Sequence, residues 1–327
     1  MFIPQTAPVA LALLVVSMLC WGSWANLLKA LPGWRLEYFY LDYTLGFLIT
    51  VLIIGATAGS VGVVDGEFLT RLVTADSGKT LLALIGGFVW NAGNILLLNS
   101  IMIAGLAVAF PVASVLAITL GVGISYWANP IGNPLWLLAG SVVLIVAAVM
   151  NARAYRQLGA TRGSHNTLGI TLALLAGLLV GVFPPFIGAA ISGPAALDPY
   201  VVSIDFMLGA VVATVIGVLV LLAKPLIGSP ARLGGYFAGD VRRHVYGLLA
   251  GAIWCLGTVA NFASAGLVGV AISWGIGSGA PMVGALWGIL LWKEFQGADG
   301  RARGLITVSL ALYTIGVVLV AIAYRLR

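Results

Sequence analysis

Residues 87–114 read GFVWNAGNILLLNSIMIAGLAVAFPVAS, and residues 251–278 read GAIWCLGTVANFASAGLVGVAISWGIGS. The two stretches align without a gap at an offset of 164 residues. Identical residues meet at Gly87/Gly251, Trp90/Trp254, Gly93/Gly257, Ser100/Ser264, Gly105/Gly269, Ala107/Ala271 and Ser114/Ser278. Neither stretch contains a charged residue, and each joins two long apolar runs. The alignment therefore predicts that one half of the chain repeats the other.

The composition excludes an ordinary soluble protein. The chain has 327 residues and a mean hydropathy of +1.11, with 61% hydrophobic and 8% charged residues. Soluble domains carry about 25% charged residues. A single globular core could not bury so much apolar surface, so the folded chain must use lipid as part of its solvent. Both cysteines, Cys20 and Cys255, fall in apolar runs and are predicted to be buried free thiols.

The apolar runs predict an all-α integral membrane protein with ten transmembrane helices, because about 20 apolar residues suffice to cross a bilayer. The predicted spans are residues 8–28, 38–58, 81–100, 106–127, 135–152, 168–190, 200–222, 245–266, 270–292 and 304–324. The connections between them are too short for a folded soluble domain. The chain therefore forms one membrane domain, with five spans in residues 1–158 and five in residues 159–327.

The basic residues predict the orientation of the spans. Twelve lie in loops on one side, namely Lys29, Arg35, Arg153, Arg156, Arg162, Lys224, Arg232, Arg242, Arg243, Lys293, Arg301 and Arg303. Only Arg71, Lys79, Arg325 and Arg327 lie on the other side. The positive-inside rule assigns the first set to the cytoplasm, so both termini are predicted to face outward.

Five spans in each half make the two halves enter the membrane from opposite sides. Such a 5+5 inverted repeat is typical of secondary transporters, whose central site opens alternately to the two sides. A duplicated scaffolding or passive membrane protein and a membrane-embedded enzyme remain alternatives. The enzyme is disfavoured because no metal-ligating or serine-hydrolase motif is present, and His165 and His244 both fall in predicted loops.

Two acidic residues lie within the predicted spans and are candidates for coupling or gating. Asp42 and Asp205 occupy matching positions in the two halves, in the segments DYTLG and DFMLG. An ionisable side chain inside a bilayer is costly and usually faces a cavity or a partner. The functional hypotheses are proton or cation coupling and acceptance of a hydrogen bond from a substrate N–H group. The alternative is a structural carboxylate that caps a helix or pairs with a boundary cation such as Arg35.

Amide, hydroxyl and indole side chains recur at helical spacing in the spans and predict a polar site with flat, apolar faces. The candidate substrate-binding residues are Trp24, Asn26, Trp90, Asn94, Ser114, Trp254, Thr258, Asn261, Trp274 and Ser278. Residues of spans one, three, four, six, eight and nine are expected to line the cavity. Indoles suit stacking on a planar ring or on a sugar face, and amides read polar edges. Any single amide can instead join two helices.

Helix-breaking residues mark places where the backbone is expected to be irregular. Pro111 lies in span four, Pro184 and Pro185 lie in span six, and Pro281 follows a glycine-rich run in span nine. Carbonyl groups released by proline must line a cavity or find other partners. These four prolines are therefore candidates for gating.

Several motifs resemble those of the ureide permease family of the drug/metabolite transporter superfamily, which is related to glucose and ribose porters. They are WGSWAN at 21–26, YLDYTLG at 40–46, WNAGN at 90–94, SGAP at 278–281 and WGILLWKEF at 287–295. The resemblance implies a ten-helix 5+5 carrier with both termini outside. It also implies secondary, proton-driven transport of neutral ureides or nucleobases such as allantoin, uracil or xanthine.

Alternative cargoes stay open, since related branches of the superfamily carry glucose, ribose or rhamnose, and others export drugs or metabolites. Plant members resemble this chain except for a long central loop with a nucleotide-like motif, whereas residues 153–167 form a short basic segment here. The implied partners are a small-molecule substrate and the lipid bilayer of a plasma or inner membrane. We expect no cofactor beyond an ion gradient, no metal and no nucleic acid. The oligomeric state is open, and a monomer is compatible with the sequence.

Overall fold

The computed structural model describes residues 1–61, 67–159 and 167–325, and these ranges contain α-helices and no strand. The helices are α1 (Ala7–Ser23), α2 (Ala25–Lys29), α3 (Leu36–Ala56), α4 (Glu67–Val73), α5 (Ser77–Ala104), α6 (Leu106–Ala128), α7 (Pro134–Gln157), α8 (Thr167–Ala190), α9 (Pro199–Ala223), α10 (Gly234–Phe237), α11 (Val241–Val268), α12 (Val270–Gly277), α13 (Ala280–Leu290) and α14 (Gly300–Arg325).

Ten segments of the described chain are long and apolar enough to cross a membrane, which confirms the predicted all-α membrane fold. The first span joins α1 and α2, and the ninth joins α12 and α13. The other eight spans are single helices: α3, α5, α6, α7, α8, α9, α11 and α14.

Several spans begin earlier than the apolar runs predicted, because polar residues cap their first turns. Asp76 accepts a hydrogen bond from the backbone N–H of Lys79 at 2.9 Å and starts α5. Asn133 caps α7 in the same way, and Asp240 caps α11 through the N–H of Arg243 at 2.9 Å. Such caps satisfy the orphan N–H groups of a helix start and let the helix extend beyond the hydrocarbon region.

The connections gather at two opposite ends of the helix bundle. The basic end contains residues 29–35, 158–159, 224–240 and 291–299, and Arg35 donates there to the Ser229 carbonyl at 3.0 Å. The terminal end contains residues 1–6 and the end of α14, and the backbone N–H of Asn133 donates there to the Ala323 carbonyl at 2.8 Å. Successive connections between spans therefore lie at alternating ends of the bundle, as expected for consecutive membrane-spanning helices. The assignment of the basic end to the cytoplasm stays a prediction.

Two helix pairs, α3 with α11 and α5 with α9, approach each other at backbone distance. At each approach a glycine lies so close to a neighbouring carbonyl oxygen that an added Cβ would collide with it. These approaches are Gly46 on Leu248 and Gly251 on Tyr43 in the first pair, and Gly209 on Leu84 and Gly87 on Phe206 in the second. Each of the four positions in the α3–α11 pair corresponds to one position in the α5–α9 pair, at a sequence offset of 163 or 164 residues. Equivalent contacts are what an inverted repeat would produce, and the repeat itself stays a prediction.

Candidate substrate cavity

A cavity of about 170 Å³ lies among α1, α5, α6, α8 and the broken ninth span. Its walls are mostly apolar, and its side-chain polar groups are the hydroxyls of Ser114 and Ser278 and the indoles of Trp21 and Trp274. Other wall positions are Leu97, Phe110, Ala113, Ala117, Val180 and Pro281. Within the described ranges no ionisable side chain lines this cavity, so it holds no fixed charge.

Glycines bring the walls of the cavity together in two pairs. Gly177 of α8 packs against the Ala113 backbone of α6, where an added Cβ would lie 2.6 Å from the carbonyl oxygen. Gly22 of α1 packs in the same way against Ala280 at the start of α13. The cavity lies between the α6–α8 pair on one side and the α1–α13 pair on the other.

Trp274 forms part of the cavity wall next to Ala117 and Gly121 of α6, which lie between Ser114 and the terminal end. Its indole Nε1 donates to the Ala117 carbonyl of α6 at 3.1 Å. Its ring meets Phe183 edge-on at 5.1 Å and Trp21 at 5.9 Å between centroids. Gly121 leaves the space that the indole occupies, because a Cβ there would collide with it. The indole therefore bridges α12 and α6.

The ninth span breaks where its glycine-rich run predicted irregular backbone. Helix α12 ends at Gly277 and α13 begins at Ala280, with Pro281 in its first turn. The hydroxyl of Ser278 donates to the Trp274 carbonyl at 2.8 Å. Trp274, Ser278 and Pro281 lie on both sides of this break, and all three line the cavity.

The other prolines leave their helices unbroken. Helix α6 continues through Pro111, and α8 continues from Thr167 to Ala190 through Pro184 and Pro185. Neither helix is interrupted at its prolines. A kink or a gating role at these positions stays a prediction. Pro184 is buried, and Pro111 adjoins Phe110 at the cavity wall.

Helix α11, the eighth span, packs behind helices of the cavity wall. None of its residues lines the cavity, contrary to expectation. Thr258 of α11 accepts a hydrogen bond from the Trp21 indole at 3.1 Å. Asn261 donates to the Ser273 carbonyl of α12 at 3.1 Å. Both side chains are buried, and each holds a helix whose tryptophan reaches the cavity.

The predicted tryptophans Trp90 and Trp254 lie outside the cavity and stack on each other. Their ring centroids are 4.1 Å apart, and their planes differ by 21°. Tyr43 and Phe206 extend this cluster, and Trp24 packs on Tyr43 at 4.8 Å between centroids. The three indoles therefore belong to an aromatic core in this structure.

The predicted amides Asn94 and Asn26 also have protein partners. Asn94 donates to the Tyr40 hydroxyl at 2.7 Å, and Tyr40 donates to Asn91 at 2.7 Å. Asn26 accepts from the Trp292 indole at 2.7 Å near the basic end. Neither amide reaches the cavity.

Asp42 forms a buried cluster with two residues that the sequence did not single out. Its carboxylate is 1% exposed and accepts a hydrogen bond from the Tyr236 hydroxyl at 2.6 Å. The Nδ1 atom of His244 lies 2.9 Å from its Oδ2. Burial and the Asp42 carboxylate raise the pKa of the Tyr236 phenol, which keeps it a neutral donor.

This cluster corrects two expectations. His244 lies in the first turns of α11 and not in a loop, because the Asp240 cap starts that helix at Val241. Arg35 pairs with Glu37 at 2.9 Å and not with Asp42. Recognition of Asp240 as an N-cap is the sequence signal that would have placed His244 inside the span. His165 lies outside the described residues.

Asp205, the counterpart of Asp42, has a different environment. It is 5% exposed and lies in α9. Its Oδ2 atom is buried and has no hydrogen-bond partner among the described residues. The two aspartates therefore occupy equivalent places in the sequence but differ in their partners. The described part of the chain contains no group of three potential metal ligands.

Comparisons with known proteins agree with the membrane fold. The family model described as "Ureide permease" matches residues 154–323. Ureide permease 1 of Arabidopsis thaliana is 20% identical over 380 aligned positions, covering 97% of this chain and 97% of the relative. Ureide permease 5 of the same plant is 22% identical over 382 positions, covering 94% and 92%.

A solved crystal structure shares the fold, with a TM-score of 0.64 and 16% identity, and covers 97% of this chain and 98% of that chain. At this identity the likeness concerns the fold alone. The family match spans more than half of the chain, and the plant relatives extend over nearly all of it. The chain therefore belongs to the ureide permease family, and it is a membrane transporter rather than an enzyme.

Proposed function

We propose that this transporter carries small, neutral, polar ring molecules of the ureide or nucleobase class. The observation that carries the proposal is the uncharged cavity whose wall includes Trp21, Trp274 and the hydroxyls of Ser114 and Ser278. Its volume of about 170 Å³ equals roughly six water molecules, which suits one small ring compound. The names of the plant relatives support the ureide class.

The chemistry of the lining favours a planar neutral cargo. Indole faces stack on flat rings. The Ser114 hydroxyl can donate to and accept from an amide-like edge, whereas the Ser278 hydroxyl donates to the Trp274 carbonyl and can accept from a ligand. An anion would find no cation in the wall, and a buried unpaired charge is costly. A sugar can also stack on an indole face and stays the alternative cargo.

We further propose that a proton gradient drives uptake by alternating access, with no other cofactor. The Asp42–His244–Tyr236 cluster supports this proposal, because it joins two titratable side chains across α3 and α11. A proton bound or released there would change the charge that links these helices. Asp205 is the second candidate for coupling, and the plasma or inner membrane is the proposed location.

Transport by the purified full-length chain in proteoliposomes tests the proposal. Labelled allantoin, uracil, xanthine, glucose and a lipophilic cation would be offered with and without an imposed pH gradient. We expect a ureide or nucleobase to accumulate only with the gradient. Sugar accumulation alone would replace the substrate class, and equilibration without accumulation would refute coupling.

A matched pair of variants connects transport to the cavity. Trp274→Ala removes the indole that bridges α12 and α6 and should lower uptake at least tenfold. Trp127→Ala removes an indole that is 85% exposed and lies outside the cavity, and it should leave uptake unchanged. Equal effects of the two substitutions would argue against this cavity as the substrate site.

A further inference from the structure

A second cavity, of about 260 Å³, lies at the basic end among the start of α3 and the ends of α5 and α9. It shares no lining residue with the cavity around Trp274. Its polar side chains are Trp34, Arg35, Glu37 and Asn99. The Asp42 cluster does not line it, so neither the proposed cargo site nor the proposed coupling site explains it.

An ion pair forms one wall of this second cavity. Arg35 donates to both carboxylate oxygens of Glu37, from NH2 at 2.9 Å and from Nε at 3.2 Å. A third bond runs from Arg35 NH1 to the Ser229 carbonyl and fixes the guanidinium. The hydrogen bond to Glu37 raises the pKa of Arg35 above its ordinary value. The wall thus presents a positive and a negative group side by side, with no net charge.

Two further polar residues belong to the wall. Asn99 donates through Nδ2 to the Ile95 carbonyl at 2.8 Å, which fixes the orientation of its amide. The indole Nε1 of Trp34 is buried and has no hydrogen-bond partner in the described part of the chain, so Trp34 contributes its ring to the wall.

The rim of the second cavity is apolar and exposed. Met102 is 55% exposed, Leu226 is 39% exposed and Ile227 is 40% exposed. These residues lie at or just beyond the ends of membrane spans, at the depth where lipid chains meet headgroups. A freely soluble polar molecule would leave the apolar surface of this rim uncovered, whereas the acyl chains of an amphiphile would cover it.

We propose that the second cavity binds a phospholipid whose headgroup carries both a phosphate and a primary ammonium group, as in phosphatidylethanolamine. The phosphate accepts hydrogen bonds from Arg35, and the ammonium group donates to Glu37. The acyl chains follow Met102 and Ile227 into the bilayer. A purely anionic headgroup fits less well, because Glu37 already balances the charge of Arg35. Helical bundles bind lipid headgroups in such interfacial pockets.

Lipid binding to the purified full-length chain, measured by native mass spectrometry, tests this site. We expect phosphatidylethanolamine to bind at least tenfold more tightly than phosphatidylcholine, whose methylated ammonium cannot donate a hydrogen bond to Glu37. Soluble glycerophosphoethanolamine should bind far more weakly than the lipid, because it lacks acyl chains. Equal binding of the two lipids, tighter binding of phosphatidylglycerol, or equal binding of the soluble headgroup would overturn the proposal.

Matched variants locate the binding. Arg35→Gln should abolish the preference for phosphatidylethanolamine, whereas Arg71→Gln, which breaks an ion pair with Asp198 at the terminal end, should retain it. Met102→Trp fills the rim without touching the ion pair, so it keeps the test valid if Arg35→Gln misfolds. Leu138→Trp, at a residue of α7 that is 63% exposed, is its control. An unchanged preference in Met102→Trp would refute this location.

Discussion

The indoles of Trp90 and Trp254 stack with centroids 4.1 Å apart, and the two residues hold corresponding positions in the two halves of the chain. Phe206 lies against Trp90 at 5.6 Å, and its counterpart Tyr43 lies against Trp254 at 6.2 Å. The stack therefore joins the two halves directly, through equivalent side chains.

We expect this stack to stabilise the fold. Trp90→Ala and Trp254→Ala should each lower the free energy of unfolding by about 3–5 kcal/mol, because each empties a buried ring site. The double variant should show a coupling of about 0.5–1.5 kcal/mol, as measured for aromatic pairs. Denaturant unfolding of the purified protein measures both quantities. Strictly additive effects would show that the rings do not interact energetically.

Gly121→Ala should impair substrate binding while the protein stays folded. The added methyl group would collide with the Trp274 indole and displace it from the Ala117 carbonyl. We expect a rise in Kd of about tenfold, which corresponds to about 1.4 kcal/mol, because the displaced indole no longer forms its part of the cavity wall. Gly123→Ala is the control, since an added Cβ there meets nothing within 4 Å. Ligand-induced thermal shifts report both variants, and identical shifts would contradict the role of Trp274.

Asp42→Asn should abolish the pH dependence of uptake, because an amide of the same shape cannot exchange a proton with His244. Initial uptake rates in proteoliposomes over a series of external pH values measure this. Tyr236→Phe should reduce the rate and keep the shape of the profile, since the raised pKa of the phenol keeps it neutral in that range. Full pH dependence in Asp42→Asn would exclude this cluster from coupling.

The two aspartates should differ in their effect on stability. Asp42→Asn disrupts the contact with His244 and should cost about 1–3 kcal/mol. Asp205→Asn replaces a buried carboxyl that has an unpartnered oxygen, so stability should stay equal or rise. Thermal unfolding in one detergent compares the variants directly. Greater destabilisation by Asp205→Asn would reveal a partner of that carboxyl.

Gly87→Ala and Gly251→Ala should prevent stable folding, because each Cβ would collide with a backbone carbonyl that cannot rotate away. Gly266→Ala, in the same helix as Gly251, meets nothing within 4 Å and should stabilise by up to about 1 kcal/mol through helix propensity. Size-exclusion profiles and unfolding temperatures distinguish these outcomes. Normal folding of Gly87→Ala would imply that α5 and α9 can separate.

The sequence predicted the helical spans well because the cost of placing polar residues in lipid leaves a clear apolar signal. The sequence predicted less well which residues line the cavity. Ser114, Trp274 and Ser278 reach the cavity, whereas Trp90 and Trp254 stack on each other. Helical spacing shows which residues share a face, but the rotation of that face depends on packing between distant helices.

The partner of Asp42 was missed for a local reason. His244 follows a charged stretch that resembles a loop, and only the Asp240 cap makes it helical. The Arg35–Glu37 pair shows the opposite case, because Arg35 forms its ion pair with a residue two positions along the chain and not with the more distant Asp42. Boundary residues depend on such short-range hydrogen bonds, which hydropathy does not record.

The glycine contacts beside the substrate cavity restrict how it could open. Gly177 holds α8 to the backbone of α6, and Gly22 holds α1 to the backbone of α13, with no layer of side chains between them to rearrange. We therefore expect each pair to move as one stiff body. Access to Ser114 and Ser278 would then change by displacement of one body past the other, with the Trp274 indole released from Ala117 as the first contact to break.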